Sequence, residues 1–170
     1  MKYNNRFSLL ILTALSMLLL SCGTTKTVLE KAERAKLYEE QFENLDFKFI
    51  ADHAYPQSFQ SVFLSSDYDV IVTPDTVTAY LPYYGRAYRA PMNSSDGGGI
   101  RFESTDFESN VEKGRKDGEW LVTIRTRDTS RPFTLYFHLW TNGAARLDVN
   151  DQDRQPISFK GSIESNSSKK

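Results

Sequence analysis

The sequence predicts a mainly β protein, an antiparallel meander of about eight or nine strands closed as a lipocalin-like barrel or a sandwich, with one N-terminal α-helix. From residue 46 onward apolar residues alternate with polar ones, which is the period of a half-buried strand. Aromatic residues make up 13% of the chain and favour strands. The predicted strands follow one another through tight turns. No segment between them offers the helical crossover that parallel strands need.

The first 21 residues have the organisation of a secretory signal. Lys2 and Arg6 precede an apolar run over residues 7–20, which is shorter than the ~20 residues of a membrane-spanning helix. Residues 19–22 (LLSC) have the pattern of a lipobox, and Cys22 is the one cysteine of the chain. We therefore expect cleavage before Cys22 and attachment of a diacylglycerol to its thiol. The expected partner is the membrane, to which this lipid would anchor the protein.

The chain divides into five predicted segments. They are a signal peptide (1–21), a lipidated tether (22–26), a helix (27–45), an antiparallel β domain (46–164) and a disordered tail (165–170). With one thiol there is no disulfide framework. Without Lys2 and Arg6 the mature chain carries 19 basic and 22 acidic residues, a net charge of −3. A nucleic-acid partner is therefore not expected, because no basic excess exists to neutralise phosphates.

The helix is predicted from a capping box and an apolar stripe. Thr27 and Glu30 have the spacing of a capping box. The stripe has helical spacing and comprises Val28, Ala32, Ala35, Tyr38, Phe42 and Leu45. Packing against the protein's own sheet is the favoured interpretation. A stalk and a helix that binds a partner are the alternatives.

The predicted strands are short and separated by turn residues. They cover residues 47–51, 68–73, 76–81, 100–104, 107–111, 120–125, 133–140, 145–149 and 157–159. Two Gly-containing dipeptides, Asp117-Gly118 and Asn142-Gly143, predict hairpins, the second with a type I′ turn. A flexible segment is predicted at residues 92–99.

Residues 80–91 (YLPYYGRAYRAP) combine four tyrosines, two arginines, two prolines and a glycine. Pro82 lacks a backbone donor and is expected to end the preceding strand. Gly85 is predicted to hold a positive φ at a sharp bend. A ligand site for a sugar, a peptide or a small aromatic molecule is predicted here, lined by Tyr80, Tyr83, Tyr84, Arg86, Tyr88 and Arg89. The alternative is a loop that plugs the barrel end, with tyrosine hydroxyls bonded to backbone groups.

Catalytic chemistry has little support in the sequence. His53 and His138 are the two histidines, and neither lies in a spacing that is typical of a metal site. There is no Gly-x-Ser-x-Gly elbow, and lipidation would remove Cys22 as a nucleophile. We expect no catalytic residue, no metal and no cofactor.

Three segments carry a resemblance to a known family. Residues 68–70 (YDV), 81–88 (LPYYGRAY) and 154–163 (RQPISFKGSI) occur in that order after the lipobox and the helix. In this the chain resembles the Bacteroidetes envelope lipoprotein family known as domain of unknown function 4251. The resemblance implies an all-β domain in the bacterial cell envelope and carries over no catalytic residues. Residues 23–26 lack the acidic residues expected of a surface-export signal, so we expect an outer-membrane anchor facing the periplasm.

The functional expectation is a non-enzymatic binding module for a small ligand or an envelope partner. Two alternatives remain open. One is a structural or assembly lipoprotein that docks through its N-terminal helix, and the other is an envelope hydrolase.

Overall fold

The computed structural model describes residues 24–88 and 98–166. The predicted signal peptide, the lipidation site Cys22, Arg89, most of the predicted flexible segment 92–99 and residues 167–170 lie outside the described residues. The chain separates into two compact units, one ending at Arg34 and one beginning at Ala35. The second unit carries the fold described below.

Helix α1 spans Thr24–Glu43. It begins three residues before the predicted capping box. Its C-terminus has a Schellman arrangement, in which Leu45 N–H bonds to the Phe42 carbonyl (3.3 Å) and Asp46 N–H to that of Gln41 (2.9 Å). Leu45 adopts the left-handed conformation there (φ 53°) and packs against the core. The predicted apolar stripe packs on the sheet in its C-terminal half, through Tyr38, Phe42 and Leu45.

Ten strands follow the helix, and adjacent strands in the sheet are antiparallel. They are β1 (Phe47–Pro56), β2 (Val62–Phe63), β3 (Asp69–Val72), β4 (Val77–Leu81), β5 (Ile100–Ser104), β6 (Phe107–Lys113), β7 (Glu119–Thr126), β8 (Phe133–Trp140), β9 (Ala144–Asp151) and β10 (Arg154–Glu164). The predicted strands are confirmed, although β1 and β10 are longer than the alternation indicated. Alternate residues of most long strands are buried, as in β8 with its inward-facing Phe133, Leu135, Phe137 and Leu139, whereas the edge strand β6 has no fully buried residue.

The strands form a nearly closed antiparallel barrel in the order β5-β4-β3-β1-β10-β9-β8-β7-β6, with β2 paired to β1 outside this path. The first and last long strands pair with each other, as Phe49 opposite Ile163 shows. The two edge strands, β5 and β6, are consecutive in the chain and separated by Thr105 and Asp106 alone. The molecule is therefore the predicted meander curled on itself, with its seam between β5 and β6.

Asp128 bridges the seam. Its carboxylate accepts hydrogen bonds from the Ser104 hydroxyl and from the backbone N–H groups of Thr105 (2.8 Å) and Asp106 (3.1 Å). These bonds, that of Ser104 above all, lower the pKa of the Asp128 carboxyl to about 2. The loop after β7 is thereby attached to the turn that joins the two edge strands.

The barrel interior is filled with side chains. Phe42 of the helix meets Phe47 edge-to-face at 5.9 Å, and Phe47 and Phe49 both pack edge-to-face on Phe137. The helix end also contacts the last strand, where the Tyr38 hydroxyl donates to the Ile163 carbonyl (3.3 Å). The end of the barrel nearest α1 is therefore closed by aromatic packing.

The two predicted hairpins exist, but the predicted type I′ turn is wrong. Gly118 (φ 70°) and Gly143 (φ 87°) take left-handed conformations, whereas Asn142 is not among the described non-glycine residues with positive φ. Three residues separate β8 from β9, and Gly143 N–H bonds to the Trp140 carbonyl (2.9 Å). A type I turn followed by a left-handed glycine accounts for this geometry.

Candidate functional site

The predicted site falls on the tyrosine loop, residues 82–88, which follows β4 at Pro82 as expected. The Tyr83 hydroxyl lies 3.0 Å from the Arg86 carbonyl oxygen and 3.1 Å from that of Gln155, and its proton can be donated to either. Burial raises the pKa of this hydroxyl above its usual value, because a phenolate would lose hydration. Tyr83 therefore acts as a neutral donor that joins the loop to β10.

Gly85 is required for space and not for its backbone angle, so the predicted positive φ is wrong. Gly85 is absent from the described glycines with positive φ. A Cβ built there would lie 2.6 Å from the Tyr83 hydroxyl oxygen and 2.8 Å from its ring carbon Cζ. The tyrosine ring folds over the backbone at this point and leaves no room for a side chain.

The loop then pairs with the start of β10. Tyr88 N–H bonds to the Asp153 carbonyl (2.7 Å) and Gln155 N–H to the Arg86 carbonyl (3.1 Å), with Ala87 bridged to Arg154. This short ladder continues the pairing of β10 beyond the end of β1 at Pro56. The tyrosine loop is thus a strand-like cover at the barrel end remote from α1.

The buried side chain of Arg154 supports the tyrosine loop. Its side chain is 4% exposed, and its Nη1 donates to the carbonyls of Gly98 (3.2 Å) and Gly99 (3.0 Å). The guanidinium lies 4.9 Å from the centroid of the Tyr83 ring. Its Nε is 3.7 Å from Oδ2 of Asp151, a buried carboxylate that Arg131 also approaches at 3.6 Å.

The other predicted residues lie apart from Tyr83. Tyr80 is on the outer face of β4, stacked on Tyr68 at 5.5 Å, and its hydroxyl accepts a bond from Arg101 (3.0 Å). Tyr84 packs against the core, whereas Arg86 is exposed and Tyr88 is 67% exposed. Tyr88 borders a depression of about 650 Å³ at the barrel end, which Arg125 and Arg154 also line. The five described residues therefore do not converge on one pocket. Arg89 lies outside the described part, and ligand binding by these residues stays a prediction.

A different concave surface lies on the outer wall of the barrel, and we call it the wall groove. It has a volume of about 430 Å³, in the range of small-molecule sites. Strands β1, β8, β9 and β10 supply its lining, which comprises Tyr55, Trp140, Ala144, Ala145, Arg146, Ser158, Phe159 and Lys160. Phe159 is fully buried, so the chemically distinctive members are the two outward-facing aromatic side chains, Tyr55 and Trp140, and the two cationic ones, Arg146 and Lys160.

Strand register brings the distant residues of the wall groove together. Lys160 of β10 is directly opposite Arg146 of β9, which is opposite His138 of β8 on its other side. On β1, His53 is opposite Lys160. Four nitrogen-bearing side chains thus form one row across four neighbouring strands. Tyr55, opposite Ser158, lies two residues along β1 from this row, and Trp140 lies two residues along β8.

Neighbouring groups orient the lining of the groove. The Trp140 ring stacks on His138 at 6.4 Å, and the Tyr55 ring stacks on His53 at 6.2 Å. Arg146 donates through Nε (3.1 Å) and Nη2 (2.9 Å) to Oδ1 of Asp148. His53 in turn lies 2.6 Å from Asp52 and His138 lies 3.7 Å from Glu119. The aromatic rings and the guanidinium are therefore held before any ligand arrives.

The charges that line the groove are of one sign. Arg146 and Lys160 are cations, and no carboxylate is among the lining residues. Within the described ranges Lys160 has no acidic side chain within ion-pair distance, whereas Arg146 forms an ion pair with Asp148. The Lys160 ammonium group is therefore available to a ligand.

Sequence reasoning did not identify this groove. One signal was present, because the alternation in Phe133–Trp140 buries the odd-numbered residues and leaves Trp140 facing outward. A large aromatic on the outer face is informative when it borders other exposed aromatics. The positions of Arg146 and Lys160 depend on register, which alternation alone does not give.

The described residues offer neither a metal site nor a membrane-spanning helix. In residues 24–88 and 98–166, no group of three His, Cys, Asp or Glu side chains is arranged to hold a metal ion. Over the same described ranges, no helix is long and apolar enough to cross a bilayer.

Comparison with known proteins agrees with the fold. A crystal structure of a DUF4251 family protein from Bacteroides eggerthii DSM 20697 superposes with a TM-score of 0.59 at 14% identity, covering 79% of this chain and 89% of that one. No curated protein matches the chain. The family model described as domain of unknown function (DUF4251) matches residues 30–163. Because this match covers most of the chain, the protein belongs to the DUF4251 family.

Proposed function

We propose that this protein is a lipid-anchored, non-enzymatic binding module of the bacterial envelope, and that the wall groove holds its ligand. The wall groove is the observation that carries the proposal. It is concave, has two aromatic side chains beside cationic donors, and is built on four strands whose register holds the lining in place. Tyr55 is exposed and Trp140 is half-buried, and outward-facing aromatic side chains that polar residues surround are typical of binding surfaces.

The filled interior supports a surface site over a ligand held inside the barrel. Phe47, Phe49 and Phe137 occupy the middle of the barrel, and the tyrosine loop covers the end remote from α1. A ligand would need to displace this packing to enter. The outer wall needs no such rearrangement.

The membrane anchor rests on the sequence. The lipobox at residues 19–22 and the positively charged start predict a diacylglycerol on Cys22. The lack of acidic residues at 23–26 predicts an outer-membrane position facing the periplasm. Metabolic labelling with radioactive palmitate should label the wild-type chain and not the Cys22→Ser variant. Equal labelling of both would contradict the anchor and leave the groove proposal intact.

Intrinsic fluorescence tests the binding proposal. The chain has two tryptophans, Trp120 in the core and Trp140 in the wall groove. Small-molecule fractions extracted from the native envelope should include one that changes the emission saturably. The Trp140→Phe variant should lose that response while keeping its Trp120 emission. If no fraction changes the emission and native mass spectrometry of the purified lipoprotein finds no bound molecule, the groove is not a binding site.

A second candidate function is docking of the N-terminal helix on an envelope protein. Leu37 on α1 is 60% exposed, as are Val28 and Leu29 to a similar extent. Leu37→Glu should abolish co-purification of such a partner and leave ligand-dependent fluorescence unchanged. Retention of all co-purifying proteins by this variant would exclude the docking role for Leu37.

A further inference from the structure

We propose that the ligand of the wall groove is a carbohydrate that carries a carboxylate, such as a uronic-acid oligosaccharide. This inference rests on the proposed function and adds the chemical class of the ligand. Three features of the groove support it, namely the aromatic walls, the unequal roles of its two cations, and the placement of those two like charges directly opposite each other.

The aromatic walls suit sugar rings. Trp140 and Tyr55 each combine a flat apolar face with a polar edge. A pyranose likewise has a face of C–H groups and a rim of hydroxyls, so it can stack on such a ring and still donate and accept hydrogen bonds. His138 stacks on the Trp140 ring and His53 on the Tyr55 ring, so the orientation of the two aromatic rings is set before a ligand binds.

The two cations of the groove have different roles. Arg146 is oriented by its two bonds to Asp148, and its Nη2 also lies 3.3 Å from the Ser158 hydroxyl. These contacts suit recognition of sugar hydroxyls, which need fixed donors. Lys160 has no such partner among the described residues and is exposed, so it can meet a carboxylate as a free ammonium group.

The wall groove places two like charges opposite each other. Arg146 and Lys160 are directly opposite in the β9–β10 ladder, where like charges reduce stability. The chain as a whole has a net charge of −1, so the pair does not follow from an excess of basic residues. An anionic group bound between the two cations would relieve the repulsion. A locally unfavourable arrangement of this kind is expected at functional sites.

The extent of the groove favours more than one sugar unit. Its lining runs from β8 through β9 and β10 to β1, which is three strand spacings or roughly 14 Å. Trp140 and Tyr55 lie towards opposite ends of this span. A short oligosaccharide can therefore contact both rings, with its carboxylate near the middle at Lys160.

The test compares acidic oligosaccharides with their own methyl esters. Trimers of galacturonate, mannuronate and guluronate, and the esters of each, are titrated into the full-length lipoprotein in detergent while Trp140 emission is recorded. Esterification removes the charge and keeps the sugar rings. We expect at least one acid to bind ten or more times more tightly than its ester.

Variants assign the contacts. Lys160→Gln should bring the acid and the ester to within about twofold of each other, and Trp140→Leu, followed by calorimetry, should weaken both at least tenfold. Lys36→Gln removes an exposed lysine of α1 and serves as the matched control, which should bind like the wild type.

Each other result overturns the inference in a recognisable way. Two results would contradict recognition of a carboxylate in the wall groove. One is equal affinity for acid and ester, and the other is an acid preference that persists in Lys160→Gln. If no trimer binds but an envelope fraction still changes Trp140 emission, the ligand class is wrong and the binding proposal remains. If neither the trimers nor any envelope fraction gives a response, both proposals fail.

Discussion

The tyrosine loop and the wall groove are built in opposite ways. The loop has a conspicuous composition, and its polar groups are largely bonded within the protein, as with the Tyr83 hydroxyl and the backbone of residues 86–88. The groove comes from residues that are far apart in sequence and unremarkable in their own segments. Its Lys160 points outward without an acidic partner in the described part of the chain.

This difference separates a requirement of folding from a capacity for binding. Tyrosine, arginine, proline and glycine concentrate in residues 82–88 because the chain must turn back, cover the barrel end and satisfy buried groups there. A binding surface needs polar groups that remain free after folding. Substitutions should therefore lower stability in the loop and its supports, and affect stability little in the groove.

Arg154→Met should have the largest effect. It removes a buried guanidinium that bonds to Gly98 and Gly99, and it leaves the Asp151 carboxylate with Arg131 as its remaining close cation. We expect a loss of about 3–5 kcal/mol in the free energy of unfolding, measured with urea. Arg101→Met, at the exposed Tyr80, is the control and should cost less than about 1 kcal/mol. Equal losses in both variants would contradict a special role for Arg154.

Gly85→Val should cost about 1–3 kcal/mol, because its side chain would overlap the Tyr83 ring. The reason can be checked separately from the loss itself. In a Tyr83→Ala background the clash is absent, so the added cost of Gly85→Val should fall below about 0.5 kcal/mol. A cost that is unchanged in the double variant would point to the backbone at Gly85 instead.

Tyr83→Phe should cost about 1–2 kcal/mol, because it removes the half-buried hydroxyl that donates to the carbonyl of Arg86 or of Gln155. Tyr88→Phe is the matched substitution in the same loop, at an exposed ring, and should stay within about 0.5 kcal/mol of the wild type. Thermal melts of the two variants measure the contrast. A larger loss of stability in Tyr88→Phe than in Tyr83→Phe would mean that the tyrosine loop is held by its exposed ring at Tyr88 and not by Tyr83.

The barrel and most of its strands could be predicted, because burial on one face forces alternation that is visible locally. Phe133–Trp140 shows this with four inward apolar residues in eight positions. The seam between β5 and β6 could not be predicted, since it depends on which strands pair across the whole sheet. The Tyr83 hydroxyl likewise bonds to Gln155, 72 residues away. The Tyr83 ring therefore lies over Gly85, which local sequence does not show, and the prediction of a positive φ at Gly85 was wrong for this reason.

The candidate site was harder to predict than the fold, because it depends on register. Lys160 faces Arg146 and His53 only after a bulge in β1 between Ala51 and His53 and an irregularity in β10 between Arg154 and Ile157. A shift of one residue would turn each side chain to the other face of the sheet. Composition therefore indicated the tyrosine loop, and pairing created the groove.

Asp128→Asn tests whether the seam, like the loop, is held by polar groups. The pKa of Asp128 is about 2 in the folded chain and its usual value is 3.8, so the ionised carboxylate stabilises the fold above about pH 4. That contribution is lost as the pH falls from about 4 towards 2. The wild type should melt at a higher temperature than the variant at pH 6, and the difference should shrink across this interval. A difference that does not vary with pH would mean that charge at Asp128 is irrelevant.

Lys160→Gln should have the smallest effect on stability, and of the opposite sign. The substitution removes a like charge opposite Arg146, so we expect a gain of about 0.2–0.5 kcal/mol. Added salt should shrink this gain, because ions screen exposed charges. The Lys36→Gln control, on α1, should show no such gain. A loss above about 1 kcal/mol would mean that Lys160 stabilises the fold as Arg154 does. The contrast between the tyrosine loop and the wall groove would then no longer hold.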